Sequence, residues 1–237
     1  MRLTDYKILT FDVYGTLIDW ESGIVNSLSG LTDQVSGDIS RDEILEAHAY
    51  FESSAQHWTP AKSYSDLLAT VYRRLAEHWQ VSVSWEDCIT YGQSVGNWPA
   101  FPDSSTSLQY LKKHFLLAVL TNTDNKNFSG SQAQLGVTFD GIYTAEDIGS
   151  YKPADRNFEF LIETLAHRAI RKTQILHVAE SMFHDHGPAN RHDIANCWIY
   201  RRHDQSGFGA TMNPGDLPTV DFTFNSLSDL VAAHQKE

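Results

Sequence analysis

Three apolar segments of the chain share one design, in which a run of β-forming residues stops at a short polar cluster. These segments and their polar clusters are Tyr6–Val13 before Tyr14-Gly15-Thr16, Leu116–Leu120 before Thr121–Asp124, and Ile175–Ala179 before Glu180-Ser181. Continuous apolar strands separated by helical stretches are typical of a parallel sheet covered by helices on both faces. The pattern predicts an α/β fold with a doubly wound parallel sheet, and Trp198–Tyr200 and Asp221–Phe224 are predicted as later strands.

The segment from Arg41 to about Ser94 has a different periodicity. Its apolar residues recur at the spacing of helices, as in Ile44, Leu45, Ala47, His48, Phe51 and then Leu67, Leu68, Val71, Leu75 and Trp79. We therefore expect a helical cap inserted after the first strand, with Trp98-Pro99 returning the chain to the sheet. The predicted division is a core segment at 1–18, a helical cap at 19–97 and the rest of the core at 98–237.

Charge and composition limit the class of partner. The 237 residues include 30 acidic and 18 basic side chains, a formal charge of −12, so the chain has no overall positive field to hold a nucleic acid backbone. No stretch approaches the roughly 20 apolar residues of a membrane span. Cys88 and Cys197 lack the spacing of a redox or zinc motif. These features predict a cytoplasmic protein that acts on a small molecule.

Polar side chains follow each of the three apolar segments. In open α/β sheets, ligands bind beyond the carboxyl ends of the strands, so Asp12, Thr121-Asn122 and Glu180 are expected to converge if these strands are neighbours. Clustered carboxylates need a nearby cation to stay ionised together. Lys152, just before Pro153, is the best candidate for that cation.

Four short motifs then occur in a fixed order along the chain. They are the hexamer Asp12-Val13-Tyr14-Gly15-Thr16-Leu17, the pair Thr121-Asn122, the pair Lys152-Pro153, and the acidic pair of Glu180 and Asp185. Together they resemble the four signatures of the haloacid dehalogenase (HAD) superfamily. The resemblance implies a Rossmann-like HAD core whose first strand carries the hexamer, and a helical cap where residues 19–97 lie.

The resemblance also implies a reaction. Asp12 would be a nucleophile that forms a covalent aspartyl ester, which water then hydrolyses, and Lys152 would orient it and moderate its charge. The other residues implied in the site are Tyr14, Thr16, Thr121, Asn122, Ser181 and Asp185. Hydroxyl, amide and backbone N–H groups among them would stabilise developing negative charge.

Tyr14 selects a branch of the superfamily. HAD phosphatases typically carry a second aspartate two residues after the nucleophile, to protonate an alcohol leaving group, whereas type II 2-haloacid dehalogenases have a tyrosine there. A halide leaves without a proton, and a missing general acid costs a phosphatase about 10²- to 10⁴-fold in rate. The resemblance therefore favours hydrolysis of the carbon–halogen bond of small 2-haloalkanoic acids, which are anionic substrates, with no cofactor.

Two alternatives stay open. Glu180 and Asp185 stand where HAD phosphatases bind magnesium, and with Asp12 they would supply oxygen ligands for Mg²⁺. A Mg²⁺-dependent small-molecule phosphatase is therefore the second candidate, and a non-catalytic HAD-fold binding protein is the third. Arg41 lies near the position of the halide-binding cap arginine of the dehalogenases, but its surroundings do not match closely enough to transfer that role.

Three further points complete the expectations from the sequence. Phe158 is the nearest counterpart of a tyrosine that the dehalogenases carry after the lysine, and it lacks the hydroxyl. The histidines around the fourth motif, His177 and His184 among them, have no metal-binding spacing and are interpreted as satisfied or exposed residues. The sequence does not fix the oligomeric state, and a homodimer is one option.

Overall fold

A six-stranded parallel sheet forms the centre of the protein. The computed structural model describes residues 1–237. The strands are β1 (Ile8–Phe11), β2 (Leu116–Thr121), β3 (Gly141–Thr144), β4 (Ile175–Ala179), β5 (Ala195–Ile199) and β6 (Phe222–Phe224). Their spatial order is β3-β2-β1-β4-β5-β6, and every neighbouring pair is parallel. This arrangement confirms the predicted α/β fold with a doubly wound sheet.

The strands differ from the sequence prediction at the edges of the sheet. β3 was not predicted, because it is a four-residue edge strand that starts at a glycine and leaves Ile142 exposed. β5 starts three residues before the predicted Trp198, since it pairs with β4 from Ala195 onward, and Tyr200 lies beyond its end. β1 is shorter than the apolar run that predicted it.

Five helices lie between β1 and β2, and five follow β2. The first five are α1 (Trp20–Thr32), α2 (Arg41–Trp58), α3 (Tyr64–His78), α4 (Trp85–Gly92) and α5 (Ser104–Leu111). The later ones are α6 (Asn125–Leu135), α7 (Ala145–Ile148), α8 (Asp155–His167), α9 (Gly187–Arg191) and α10 (Leu227–His234). The cap boundaries at 18/19 and 97/98 remain a prediction. None of these helices combines the length and apolar character needed to cross a membrane.

Local sequence explains where the helices of the predicted cap begin. Ser40, Ser63 and Ser84 precede α2, α3 and α4, and each serine hydroxyl accepts a hydrogen bond from the backbone N–H three residues later. Such caps satisfy donors that the first helical turn leaves free. α3 packs against both α2 and α4, and their apolar faces continue into the same core as the sheet. The helices of the predicted cap therefore share one core with the sheet.

One close approach fixes the return of the chain to the sheet. Gly23 of α1 lies against the ring of Trp98, and a Cβ atom at this glycine would be 2.3 Å from the ring Cγ. The same tryptophan makes an edge-to-face contact with Tyr14, with ring centroids 5.9 Å apart. The start of α1, the turn after β1 and the segment before α5 are therefore packed as one unit.

Candidate active site

The central position of β1 brings the polar residues together. β1 lies between β2 and β4, so its carboxyl end is flanked by the ends of both neighbours. Asp12 follows β1 directly, and its backbone N–H donates to the carbonyl of Val178 in β4 at 3.0 Å. Asp185 lies in the π-helical turn Met182–His186 after β4, and Lys152 lies on the connection between α7 and α8.

Lys152 contacts both carboxylates of this cluster. Its Nζ donates to Asp12 Oδ1 at 2.9 Å, to Asp185 Oδ1 at 2.6 Å and to the carbonyl oxygen of Leu120 at 2.9 Å. The side chain is only 1% exposed. An ammonium group has three donors, and all three are used here, so the lysine is fixed in position and cannot rotate toward other partners.

The pKa values of Lys152, Asp185 and Asp12 are shifted by burial and by one another's charges, and the two carboxylates are shifted in opposite directions. Burial disfavours the ammonium form of Lys152, but the charges of Asp12 and Asp185 outweigh burial and raise its pKa. Burial would raise the pKa of Asp185, yet Lys152 and His177 lower it well below its usual range. The pKa of Asp12 is raised, by burial first and by the negative charge of Asp185, against the opposing effect of Lys152. Asp185 is thus the more firmly ionised carboxylate.

Thr16 and Asn122 fix the geometry of Asp12 and Lys152. The Thr16 hydroxyl donates to Asp12 Oδ2 at 2.8 Å and accepts from the backbone N–H of Glu180 at 2.9 Å. The Asn122 amide donates to the carbonyl of Lys152 at 2.9 Å and accepts from its N–H at 2.7 Å. The Asn122 side chain is therefore used to hold the lysine backbone. Thr121 Oγ1 is buried without a partner.

His177 belongs to the same network, and it is a satisfied buried histidine, one of the two interpretations that the sequence allowed. Its Nε2 lies 2.9 Å from Asp185 Oδ1, and its Nδ1 lies 2.9 Å from the hydroxyl of Thr10. Phe158 packs its ring edge-to-face against this imidazole. Thr10 and His177 are register partners in β1 and β4. Two polar residues at matching positions of apolar strands were the available sequence signal for this contact.

Tyr14 and Ser181 make contacts that the sequence did not predict. The Tyr14 hydroxyl hydrogen-bonds to the Ser131 hydroxyl of α6 at 2.9 Å, so it is already paired within the protein. The Ser181 hydroxyl lies 3.1 Å from Nδ1 of His184 and 3.0 Å from the Thr211 hydroxyl. Burial lowers the pKa of His184 to about 4, so this histidine is neutral at pH 7.

The three carboxylates of the predicted magnesium site are not brought together. The Lys152 ammonium lies between Asp12 and Asp185, where it contacts an oxygen of each. The Glu180 carboxylate makes no hydrogen bond or ion pair and lines a separate cleft with Glu21. Burial, with the charges of Glu21 and Asp12, raises the pKa of Glu180 to about 8. No three His, Cys, Asp or Glu side chains form a cluster that fits a metal ion, so these donors do not match the predicted site.

Two cavities adjoin the cluster. The inner cavity has a volume of about 30 Å³ and is lined by Asp12, Tyr14, Trp20, Glu52, Tyr64, Asn122, Lys152, Ser181, His184 and Asp185. The outer cleft has a volume of about 410 Å³ and is lined by Gly15, Asp19, Trp20, Glu21, Ser22, Arg41, Phe101, Glu180, Arg201, Arg202 and Gln205. Trp20 borders both spaces. Arg41 lies on the outer cleft, with its Nη2 3.8 Å from Glu21 Oε2.

Comparison with known proteins identifies the family. The model of the haloacid dehalogenase-like hydrolase family matches residues 6–179. The chain belongs to this family. It is 22% identical to an (S)-2-haloacid dehalogenase 4A from Burkholderia cepacia, over 94% of this chain and 93% of that protein. This relationship confirms the expected resemblance and an enzyme of the HAD superfamily.

Solved structures show the same fold. An L-2-haloacid dehalogenase from Xanthobacter autotrophicus with chloropropionic acid covalently bound superposes with a TM-score of 0.75 at 17% identity, covering 95% of this chain and 96% of that one. The HAD-hydrolase YfnB from Bacillus subtilis, bound to magnesium, also has a TM-score of 0.75, at 15% identity and coverage of 99% and 100%. Because the fold matches both equally well, the site residues have to distinguish the chemistry.

Proposed function

We propose that this enzyme hydrolyses the carbon–halogen bond of small 2-haloalkanoic acids, with residues 19–97 as a cap over the site. The observation that carries the proposal is the state of Asp12, which lines the inner cavity while Lys152 and Thr16 each hold one of its oxygens. A carboxylate fixed in this way and largely removed from water is suited to displace a leaving group.

The first step forms an ester. A carboxylate oxygen of Asp12 attacks C2 of the haloacid, the new C–O bond forms, and the halide leaves with the electron pair of the carbon–halogen bond. Lys152 orients the attacking carboxylate and favours its ionised form, and Tyr14 lies two residues after Asp12, where the HAD phosphatases that the sequence resembles carry their acid. No proton is consumed, in agreement with the hydroxyl of Tyr14 being paired with Ser131.

The second step returns Asp12 to its starting state. Water adds to the carboxyl carbon of the Asp12 ester, and the bond between that carbon and the substrate oxygen breaks. One proton of the water passes to the departing alkoxide, which gives the 2-hydroxy acid, and the other is released to solvent, which leaves Asp12 ionised. Asp185 Oδ2 is buried and has no partner in the protein, and Asp185 lines the inner cavity. We assign this oxygen to orienting the water, with Ser181 and His184 at the same wall of the cavity. The proposal requires no metal.

The phosphatase alternative has one observation in its favour. Glu180 carries an unpaired carboxyl close enough to Asp12 for their charges to interact. Against it, Tyr14 replaces the acid that an alcohol leaving group needs, and Lys152 fills the space between Asp12 and Asp185. The dehalogenase reaction therefore fits the described residues better.

The test is a panel of 2-chloropropionate, haloacetates and p-nitrophenyl phosphate, each with EDTA and with added Mg²⁺. We expect halide release in EDTA, and its loss by at least about 10³-fold in Asp12→Asn, because the nucleophile is removed. Asp38→Asn, at an exposed position, is the matched control. A single turnover in heavy-oxygen water should label Asp12. Phosphate release that requires Mg²⁺, with no halide from any haloacid, would refute the proposal.

A further inference from the structure

A buried glutamate of the cap faces the nucleophile across the inner cavity. Glu52 lies in α2, is 6% exposed, and lines the same cavity as Asp12. Its Oε1 accepts hydrogen bonds from the Tyr64 hydroxyl of α3 at 2.8 Å and from the Gln56 amide at 2.9 Å. Its Oε2 has no hydrogen bond in the protein and lies 3.4 Å from His48 Nδ1. One oxygen is thus anchored, and the other is free.

No cation compensates this carboxyl. The groups that face it are His48 and Gln56 of α2, Tyr64 of α3, Tyr91 of α4, Tyr151 before α8 and, across the inner cavity, Asp12, Lys152, His184 and Asp185. His48 is fully buried, and burial lowers its pKa to about 3, so it is neutral. The Lys152 ammonium is already bonded to Asp12 and Asp185. Burial accordingly raises the pKa of Glu52 to about 7, against the hydrogen bond from Tyr64.

The existing hydrogen bonds decide which oxygen carries the proton. Oε1 accepts two of them, from Tyr64 and Gln56, and therefore acts as the carbonyl oxygen of the neutral acid. The proton then belongs on Oε2, the oxygen that is free to donate. An ionised Glu52 would repel an anionic substrate in this small, buried space, whereas the neutral acid offers it a hydrogen-bond donor.

The cap supplies no other charged group to the inner cavity. Arg41, at the start of α2, is 45% exposed and borders the outer cleft beside Glu21. The side chains of α2 and α3 that reach the inner cavity are Glu52 and Tyr64. We propose that the neutral carboxyl of Glu52 is the cap's anion-binding group, which donates a hydrogen bond from Oε2 to the haloacid substrate. This inference rests on the proposed function for the identity of the anion.

The proposal predicts a specific pH profile for the enzyme. The donor is present below pH 7 and is lost as pH rises through the Glu52 pKa of about 7. The kcat/KM for 2-chloropropionate should then fall about tenfold per pH unit above that value. Glu52→Gln keeps an acceptor for Tyr64 and Gln56 and places an N–H donor at the position of Oε2. This variant should retain activity at pH 6 and show no such fall between pH 7 and 9.

Matched variants separate this role from packing. Glu46→Gln, on the exposed side of the same helix, should keep the wild-type profile. Glu52→Ala, which has no donor, should have a kcat/KM about tenfold or more below that of wild type at pH 6 and should show no further fall above pH 7, while circular dichroism checks that it is folded. An effect of Glu52→Ala on KM would assign the hydrogen bond to the substrate carboxylate, and an effect on kcat would assign it to the departing halide. A Glu52→Gln profile identical to that of wild type would overturn the proposal.

A binding measurement keeps the inference testable if no haloacid is turned over. Titration calorimetry with propionate at pH 8, in buffers of different ionisation enthalpy, counts the protons that accompany binding. Wild type should take up close to one proton per propionate bound, because the ligand favours neutral Glu52, and Glu52→Gln should take up none. Equal proton uptake in the two proteins, or none in either, would refute the role of Glu52 whatever the reaction is.

Discussion

Replacement of Lys152 by methionine would remove the only cation that contacts Asp12 and Asp185. The ammonium donates to an oxygen of each carboxylate, at 2.9 and 2.6 Å, in a site where the lysine side chain is 1% exposed. Methionine has a similar length and no charge. Two buried carboxylates that share one ammonium group cannot both stay ionised once that cation is removed, so one of them must take up a proton in the folded state.

The cost of that proton gives the expected magnitude. An aspartate with an ordinary pKa of about 3.9 in the unfolded chain costs about 4 kcal/mol to protonate at pH 7 and about 1.5 kcal/mol at pH 5. In the folded variant, the pKa of the protonated carboxyl is raised above its value in the unfolded chain. The variant therefore has its full stability below about pH 4 and becomes less stable as pH rises. In wild type, the lowered pKa of Asp185 has the opposite effect. Ionised Asp185 stabilises the folded protein at pH 5 and at pH 7, and this stabilisation is lost only in acid.

Urea unfolding at pH 5 and pH 7 measures this difference. Lys152→Met should be less stable than wild type by about 4 kcal/mol at pH 7, with about 2 to 3 kcal/mol of that deficit recovered at pH 5. The matched control is Lys112→Met, which breaks the partly exposed pair with Asp140 and should cost at most about 1 kcal/mol at either pH. A Lys152→Met deficit that is the same at both pH values would refute the idea that the lysine keeps two carboxylates ionised.

Two further substitutions test contacts around the site. Tyr14→Phe removes a hydroxyl that hydrogen-bonds to Ser131. We expect kcat/KM to stay within about twofold of wild type and the free energy of unfolding to fall by about 1 kcal/mol. A hundredfold loss of rate would show that this hydroxyl acts on the substrate. Gly23→Ala would place a methyl group 2.3 Å from Trp98 Cγ and should cost about 1 to 3 kcal/mol in urea unfolding. Gly30→Ala, in open space on the same helix, should not destabilise the protein.

The catalytic centre could be predicted from the sequence because its residues lie in short motifs at the ends of apolar strands. Asp12, Lys152 and Asp185 were expected to be neighbours, and the structure joins them through one ammonium group. Glu180 shows the limit of the same reasoning. Its place in the fourth motif left a shared Mg²⁺ site open for the phosphatase alternative, but its side chain lines the outer cleft. Position along the chain does not determine which way a side chain points once the backbone turns after a strand.

The contributions of the cap could not be predicted in this way. His48, Glu52 and Gln56 occupy core-facing positions of α2 at intervals of four residues, on a face otherwise made by Ile44, Leu45 and Ala49. Polar residues on an apolar face indicate a buried polar cluster, but helical spacing alone does not show what that face covers. Only the packing of α2 over the inner cavity relates Glu52 to Asp12. β3 was missed for a simpler reason, since a four-residue edge strand has too little periodicity to be recognised.

The small size of the inner cavity has a consequence for turnover. About 30 Å³ holds one or two water molecules, and a haloacid has several times as many heavy atoms. Substrate therefore enters only when part of the wall moves aside, and Trp20 is the residue that lines both this space and the outer cleft. If that movement is slower than bond cleavage, chloro- and bromo-substrates of the same carbon skeleton will turn over at the same rate, despite the different strengths of their carbon–halogen bonds.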